Sequence, residues 1–361
     1  MLQPLEVLLA AASQHDASDL HLSPGMPWLR VHGQMQRLTL QTGPLTGDQI
    51  VAMLCVAMDE RDREKWERGT VRSLDFGFGA DGLGRFRANL ALTTSGPTAV
   101  LRRVPATVPT ADDLGLPAEV AALADLPSGL ILVTGATGEG KSSTLAALVD
   151  RINRTRNGHI LTLEEPVEYE HTPKHCRITH REIGIHAESF EEGLGAALRQ
   201  DPDVIVVGEA RTGREIEKIL QAAETGHLVM ATLHTINSVN AISRVVGMVE
   251  TARQPEVRTQ LAECLRAVVT QRLVPTVDGR RTAAFELLVN TRAIASNIAA
   301  GNTTDMRSAL ESRRDGMRTL EQSLAELVLA GHVEAGVAGE RANDLKAFQR
   351  ALDTATSPGY R

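Results

Sequence analysis

Cysteine is scarce in this chain of 361 residues. Cys55, Cys176 and Cys264 lie far apart and form no CxxC pair, which argues against a disulfide framework and against a four-thiolate zinc site. They read as plain thiols. Aromatic residues make up only 3% of the chain, too few to expect the stacking platforms of single-strand nucleic-acid binders. An excess of positive charge is missing as well: the formal net charge is −7, which gives no broad basic footprint for duplex DNA and disfavours DNA translocation, while leaving room for a local basic channel. No apolar stretch reaches 18 residues, and the first twenty residues lack a basic start followed by an apolar core and a cleavage site. These absences predict a cytoplasmic protein that touches a membrane only through partners and does not bind nucleic acid directly. The length suits two domains, with 42% hydrophobic and 23% charged residues as in a globular protein.

At the middle of the chain stands GATGEGKSS: Gly135, Ala136, Thr137, Gly138, Glu139, Gly140, Lys141, Ser142 and Ser143. The first eight fit G-x-x-x-x-G-K-[ST]. Glycines let the backbone turn tightly so that successive N–H groups face an anion, Lys141 reaches the β/γ-phosphates, and the Ser142 hydroxyl is offered to Mg²⁺. The flanks decide the reading. LILVT (130–134) is a strand-like run before the loop, and Leu145, Leu148, Val149 and Ile152 recur at helical spacing after it. Strand, glycine loop and helix N-terminus together predict an ATP and Mg²⁺ site.

The first 104 residues read as a small α/β unit. Helices are predicted near PLEVLLAAA and from Thr46, which with Gln49 has capping-box spacing; SLDFGFGA and GRFRANLAL alternate as strands. Prolines 105, 109 and 117 mark residues 105–117 as a linker. From 118 to about 335 strands and helices alternate (LILVT, HILTL, DVIVVG, HLVMATL), predicting a largely parallel sheet with ligands at the carboxyl ends of its strands. The part beyond residue 240 reads as mostly helical, and 336–361 as a C-terminal tail.

Further candidates fall at strand ends. After DVIVV, Glu209 is placed beside the glycine loop as the Mg²⁺-side carboxylate, whereas Asp203 at the strand start would lie about 15 to 20 Å away and is read as structural. After HILTL, Glu164 and Glu165 emerge where Pro166 stops the strand; neighbours point to opposite faces, so Glu164 is assigned as the base orienting the attacking water and Glu165 as a metal ligand or its support. His227 and His234 are seven residues apart, too far to ligate one ion from one strand end, and His234 has the better position to sense a γ-phosphate.

Taken together, ASDLHLSPG, GRFRAN, GATGEGKSST, LTLEEPVEYEH, ALRQDPDVIVVGEAR and AAETGHLVMATLHT resemble, in order and spacing, the motifs of the PilT-like ATPases of type IV pili and of type II and type IV secretion. The likeness covers nearly the whole chain. It implies a PAS-like N-terminal domain, a RecA-like P-loop ATPase domain, a homohexameric ring, and ATP hydrolysis that moves pilins or drives secretion at the cytoplasmic face of an inner-membrane machine, in contact with its platform protein. By the same resemblance Lys141, Ser142, Glu164, Glu209, His227 and His234 match nucleotide-site positions, and Arg85, Arg87, Arg102 and Arg103 are the candidates for N-terminal arginines that approach the phosphates.

The chain also departs from the retraction motors. Glu165 and Thr212 stand where aspartates are usual, and TRAIASNIAAGN (291–302) keeps the apolar Ile294 and Ile298 of an AIRNLIRE-type motif without its charges. A conjugative or type IVB secretion motor therefore stays open beside pilus retraction, as does a nucleotide-binding accessory subunit that assembles with an active paralogous ATPase. A small GTPase is not expected, since no N-K-x-D tetrad occurs.

Overall fold

The computed structural model describes residues 4–31, 33–39, 43–104 and 107–356. The chain divides into two compact units, Met1–Thr107 and Val108–Arg361.

In the first unit six strands run β1 (Asp19–Leu22), β2 (Trp28–Val31), β3 (Gln34–Arg37), β4 (Ser73–Ala80), β5 (Gly84–Thr93) and β6 (Gly96–Arg103). They form one sheet in the order β3-β2-β1-β6-β5-β4, antiparallel throughout. The alternation seen in the sequence sets the buried face: Leu74, Phe76 and Phe78 on β4 and Phe86, Ala88 and Leu90 on β5 join Leu5, Leu8, Leu9, Ile50 and Leu54 of helices Pro4–Gln14 and Gly47–Cys55 in one core. Thr46 closes the expected capping box, its hydroxyl accepting from the Gln49 N–H at 3.2 Å while the Gln49 side chain accepts from the Thr46 N–H at 2.8 Å.

The second unit is built on seven strands: β7 (Gly129–Thr134), β8 (Gly158–Glu164), β9 (Cys176–Glu182), β10 (Val204–Val207), β11 (Leu228–Leu233), β12 (Leu265–Pro275) and β13 (Arg281–Val289), in the order β13-β12-β7-β11-β10-β8-β9. All neighbours are parallel except the β12–β13 hairpin. Central strands β7, β10 and β11 are buried on both faces, which is why they read as continuous apolar runs rather than alternating ones. Helix Lys141–Thr155 covers one face through Leu145, Leu148, Val149 and Ile152; helices Gly213–Glu224, Ser238–Gly247 and Gln254–Cys264 cover the other. With β7, β8, β10 and β11 parallel and in register, Thr134, Glu164, Val207 and Leu233 end at one edge of the sheet, and the loops leaving that edge carry the candidate residues.

The part beyond residue 240 is mostly helical among the described residues, as expected, but it also contains β12 and β13, the longest strand pairing of the unit, whose run AVVTQRLV has β-branched residues suited to a buried strand. One expectation is corrected. Residues 336–356 are not a tail. They continue helix Ala335–Arg341 and form helix Leu345–Thr356, and Ala338 and Phe348 are buried with Leu320, Leu324 and Val274 in a separate small core. The apolar stripe Leu345, Phe348, Leu352 has helical spacing but is short, which hid it in the sequence. Residues 357–361 of the expected tail and 105–106 of the expected linker lie outside the described residues. The rest of that linker carries local structure, with Asp113 accepting from both the N–H (2.9 Å) and the hydroxyl (2.6 Å) of Thr110.

Candidate active site

The phosphate loop leaves β7 and enters helix Lys141–Thr155 at Gly140, the residue before its first turn. Gly135 and Gly140 have φ of 146° and 83°, and a Cβ on either would come within 2.6 Å of the Gln271 carbonyl oxygen or 2.8 Å of Gln271 Nε2. Both positions thus require glycine on two grounds, conformation and space. Gly138 has φ of 83° but open surroundings. Ala136, Thr137 and Gly138 are exposed, Ser142 and Ser143 half-buried, and the half-buried Glu139 turns its carboxylate towards the N–H of Leu273 on β12. The exposed rim followed by a helix N-terminus is an anion cradle.

Lys141 is buried and donates to the carbonyls of Gly135 (2.9 Å) and Ala136 (3.0 Å), with His234 Nδ1 at 3.4 Å. Burial lowers its pKa; Glu209, Glu168 and Glu139 act against that shift. Glu209 follows β10 and sits 3.1 Å from His234 Nε2 and 3.0 Å from the Arg211 guanidinium. Burial works against ionising Glu209, but Arg211 and His234 outweigh it and hold the carboxyl below its ordinary range. Thr137 Oγ1 lies 3.5 Å from His234 Nδ1, so the imidazole stands between the phosphate loop and Glu209.

Glu164 ends β8. Burial pushes its carboxyl up to about 7, although the Glu168 N–H donates to it at 3.3 Å. A small cavity of about 30 Å³ is lined by Ser142, Thr162, Glu164, Tyr169, His171 and Gly208, which places the loop serine and the carboxylate on one space. Glu165 pairs with Arg211 at 2.6 Å, and the same guanidinium reaches Glu209. Asp203 lies at the far end of β10, accepting from the His159 N–H at 2.7 Å, in keeping with a structural role.

The structure therefore brings together Lys141, Ser142, Glu164, Glu209, His234 and the glycine loop. It does not bring His227 to this group. The His227 carbonyl accepts from the Gly129 N–H at the start of β7, while its ring contacts the Ala222 carbonyl (2.9 Å) and Thr225 (3.1 Å). The six-residue strand Leu228–Leu233 separates it from His234, roughly 20 Å along the strand. Within this unit His227 caps a helix end at the opposite edge of the sheet. The four arginines belong to the first unit. Arg85, Arg87 and Arg102 share the face opposite its core; Arg102 pairs with Asp19 at 2.8 Å and Arg87 lies 4.0 Å from Asp75. Arg103, opposite Phe86, lies on the other face at the strand end.

Several residues of the site went unread in the sequence. Gln271 on β12 accepts from the Thr144 hydroxyl at 2.6 Å and donates to the Glu139 carbonyl, gripping the loop from behind. Thr270 bonds Thr134 at 2.7 Å, the Thr232 hydroxyl donates to the Gly208 carbonyl, and Tyr169 bonds Ser143 at 2.8 Å. The signal was present as a polar pair, Thr270-Gln271, inside an apolar strand. Its partner became visible only once β12 was known to lie beside β7.

Comparison with known proteins shows the family. The family model described as type II/IV secretion system protein matches residues 5–351. The type IV pilus retraction ATPase PilT of Pseudomonas aeruginosa is 40% identical over 337 residues, 93% of this chain and 97% of that protein. A crystal structure of the pilus retraction motor PilT with bound ADP superposes with a TM-score of 0.88 at 39% identity, covering 97% of this chain and all of the other. The ATPase DotB of Legionella pneumophila gives 0.78 at 26% identity, over 94% and 95% of the two chains. A mixed α/β chain with a phosphate loop, strand-end carboxylates and an adjoining histidine, it belongs to the type II/IV secretion system protein family.

Proposed function

We propose that this protein is a Mg²⁺-dependent, ATP-hydrolysing motor that works as a homohexameric ring at the cytoplasmic face of an inner-membrane pilus or secretion machine. The observation that carries the reading is the convergence of Lys141, Glu164, Glu209 and His234 on the phosphate loop at one sheet edge. The similarity to PilT, which exceeds that to DotB in both identity and superposition, favours the pilus side of the family. Helix Arg292–Ala300 buries Ile294 and Ile298, as the apolar stripe predicts, but carries Arg292 as its only charge. No helix among the described residues is long and apolar enough to cross a membrane, which accords with attachment through a platform protein.

In the mechanism we infer, the loop N–H groups and the helix N-terminus hold the phosphates, and Lys141 compensates their charge. Glu164, whose affinity for a proton is raised by burial, orients a water and takes its proton as the oxygen attacks the γ-phosphorus and the bond to the β-phosphate oxygen breaks. Glu209 accepts from Nε2 of His234, which leaves Nδ1 as an acceptor beside the Lys141 ammonium, so the imidazole links the carboxylate to the lysine that meets the phosphates. The donor set fits Mg²⁺: a serine hydroxyl and an ionised carboxylate are hard oxygen ligands, and this ion ordinarily takes one or two carboxylates with phosphate oxygens and water. Ser142 and Glu209 would hold it, with Glu165 nearby, and when bound it would neutralise charge on the β- and γ-oxygens. Arg85, Arg87, Arg102 and Arg103 remain the candidates for arginines that reach the phosphates. Turnover by the purified chain and by Lys141→Ala tests the assignment; equal turnover in the two would overturn it.

A further inference from the structure

Helices Ala335–Arg341 and Leu345–Thr356 are joined by a turn at residues 342–344, and this turn is tied to both halves of the nucleotide site. Arg272, on the strand that backs the phosphate loop, donates to the Arg341 carbonyl and, at 3.1 Å, to Oδ1 of Asn343. The Nδ2 of Asn343 donates to the carbonyl of Ile236, two residues beyond His234, at 3.4 Å. Asparagine suits the position because one amide offers an acceptor to the arginine and a donor to the carbonyl. The turn itself is held by Glu321, a buried carboxylate that accepts from the N–H groups of Asn343 (3.0 Å) and Asp344 (3.1 Å). On the other side the Arg341 guanidinium is 4.0 Å from Glu139 of the phosphate loop, and the second oxygen of Glu139 accepts from the Leu273 N–H, next in chain to Arg272.

The phosphate loop and the His234 segment leave the paired strands β7 and β11 and touch through His234 itself, and the turn adds a second tie between them on the side of Ile236 and Glu139. We infer that Arg272 and Asn343 are positioning residues for hydrolysis: the C-terminal helices, through the 341–344 turn, hold the phosphate loop and the segment after His234 in a single register. The inference rests on the ATPase reading above and extends it to residues that touch no substrate. Misplacement of a catalytic group by about 1 Å can cost on the order of 10²-fold in rate, so loss of this tie should show in turnover before it shows in folding.

The test uses the full chain and compares parent, Arg272→Met, Arg272→Lys and Asn343→Ala in ATP turnover, ADP affinity and thermal unfolding. Arg272→Met and Asn343→Ala are expected to lower kcat by about tenfold while still unfolding cooperatively. Arg272→Lys, which keeps a donor, should recover most of the loss. The double variant Arg272→Met/Asn343→Ala should fall no further than the worse single one, since both act by holding the same turn. Folded single variants with kcat and ADP affinity within about twofold of the parent would overturn the inference, as would losses that multiply in the double variant. If Arg272→Met fails to unfold cooperatively, Asn343→Ala and Arg272→Lys decide. Should the parent itself show no turnover dependent on Lys141, the ATPase reading fails, and ADP affinity alone judges the turn: weakened affinity in Asn343→Ala supports it, unchanged affinity rejects it.

Discussion

Nε2 of His234 lies 3.1 Å from Oε1 of Glu209, across the ends of the neighbouring parallel strands β11 and β10. The pairing leaves Nδ1 of the ring directed at Lys141 and Thr137, so the carboxylate sets which nitrogen faces the phosphate loop. Replacing His234 with alanine removes the acceptor beside the Lys141 ammonium and releases Glu209 from one partner. Turnover should fall by about 10²-fold, the scale on which a misplaced catalytic group slows a reaction, with nucleotide affinity changed by less than about tenfold. Steady-state kinetics with a parallel ADP titration measures both; a loss confined to affinity would remove His234 from the chemistry.

Glu164→Gln keeps the size and the hydrogen bond from the Glu168 N–H but lacks the basicity that burial gives the carboxylate. General-base catalysis contributes about 10²- to 10⁴-fold, so kcat should drop by that much while ATP still binds. Trapping of ATP in the variant, read by filter binding, is the expected result. Turnover near that of the parent would assign the water-orienting role elsewhere.

The three loop glycines should not respond alike. Alanine at Gly135 or Gly140 meets Gln271 at 2.6 or 2.8 Å in a left-handed backbone, whereas alanine at Gly138 has only the unfavourable φ of 83° to overcome. Gly135→Ala is predicted to be the most damaging to ADP binding, because its clash is with backbone that has no rotamer to yield. Gly138→Ala should cost about 1 kcal/mol, or roughly fivefold in affinity. An isothermal titration series that placed Gly138→Ala last in affinity would contradict this ordering.

Much of this site was legible because its parts are local: a glycine loop between an apolar strand and an amphipathic helix, and carboxylates immediately after strands. The sequence also distinguished Asp203 from Glu209 correctly, since strand length alone separates the two ends of β10. What stayed hidden depends on strand order. Gln271 acts on a loop more than a hundred residues earlier, and nothing near it in the chain announces that β12 lies beside β7. His227 shows the converse failure: it sits in the same quoted motif as His234, yet the strand between them carries it to the other edge of the sheet. The helices after residue 335 escaped notice because a handful of apolar residues, Ala338 and Phe348 among them, suffices to seat them on β12 and helix Leu320–Leu329.

A last prediction concerns Glu286 on β13, which is buried beneath helix Ser238–Gly247 and accepts from the N–H (2.7 Å) and hydroxyl (2.6 Å) of Ser238. Burial raises its pKa above 4.5, and Ser238 opposes the shift without cancelling it. The folded protein therefore keeps this proton where the unfolded chain has already released it. More protons are bound in the folded state, so the contribution of Glu286 to stability is full below the unfolded pKa and declines as pH rises towards the folded value. Glu286→Gln retains an acceptor for Ser238 but cannot ionise, and that decline should vanish from its profile. Urea midpoints measured from about pH 4 upward should fall less steeply, or rise more, in the variant than in the parent. Parallel profiles would mean that the carboxylate ionises in place at little cost, and that its bonds to Ser238 outweigh burial after all.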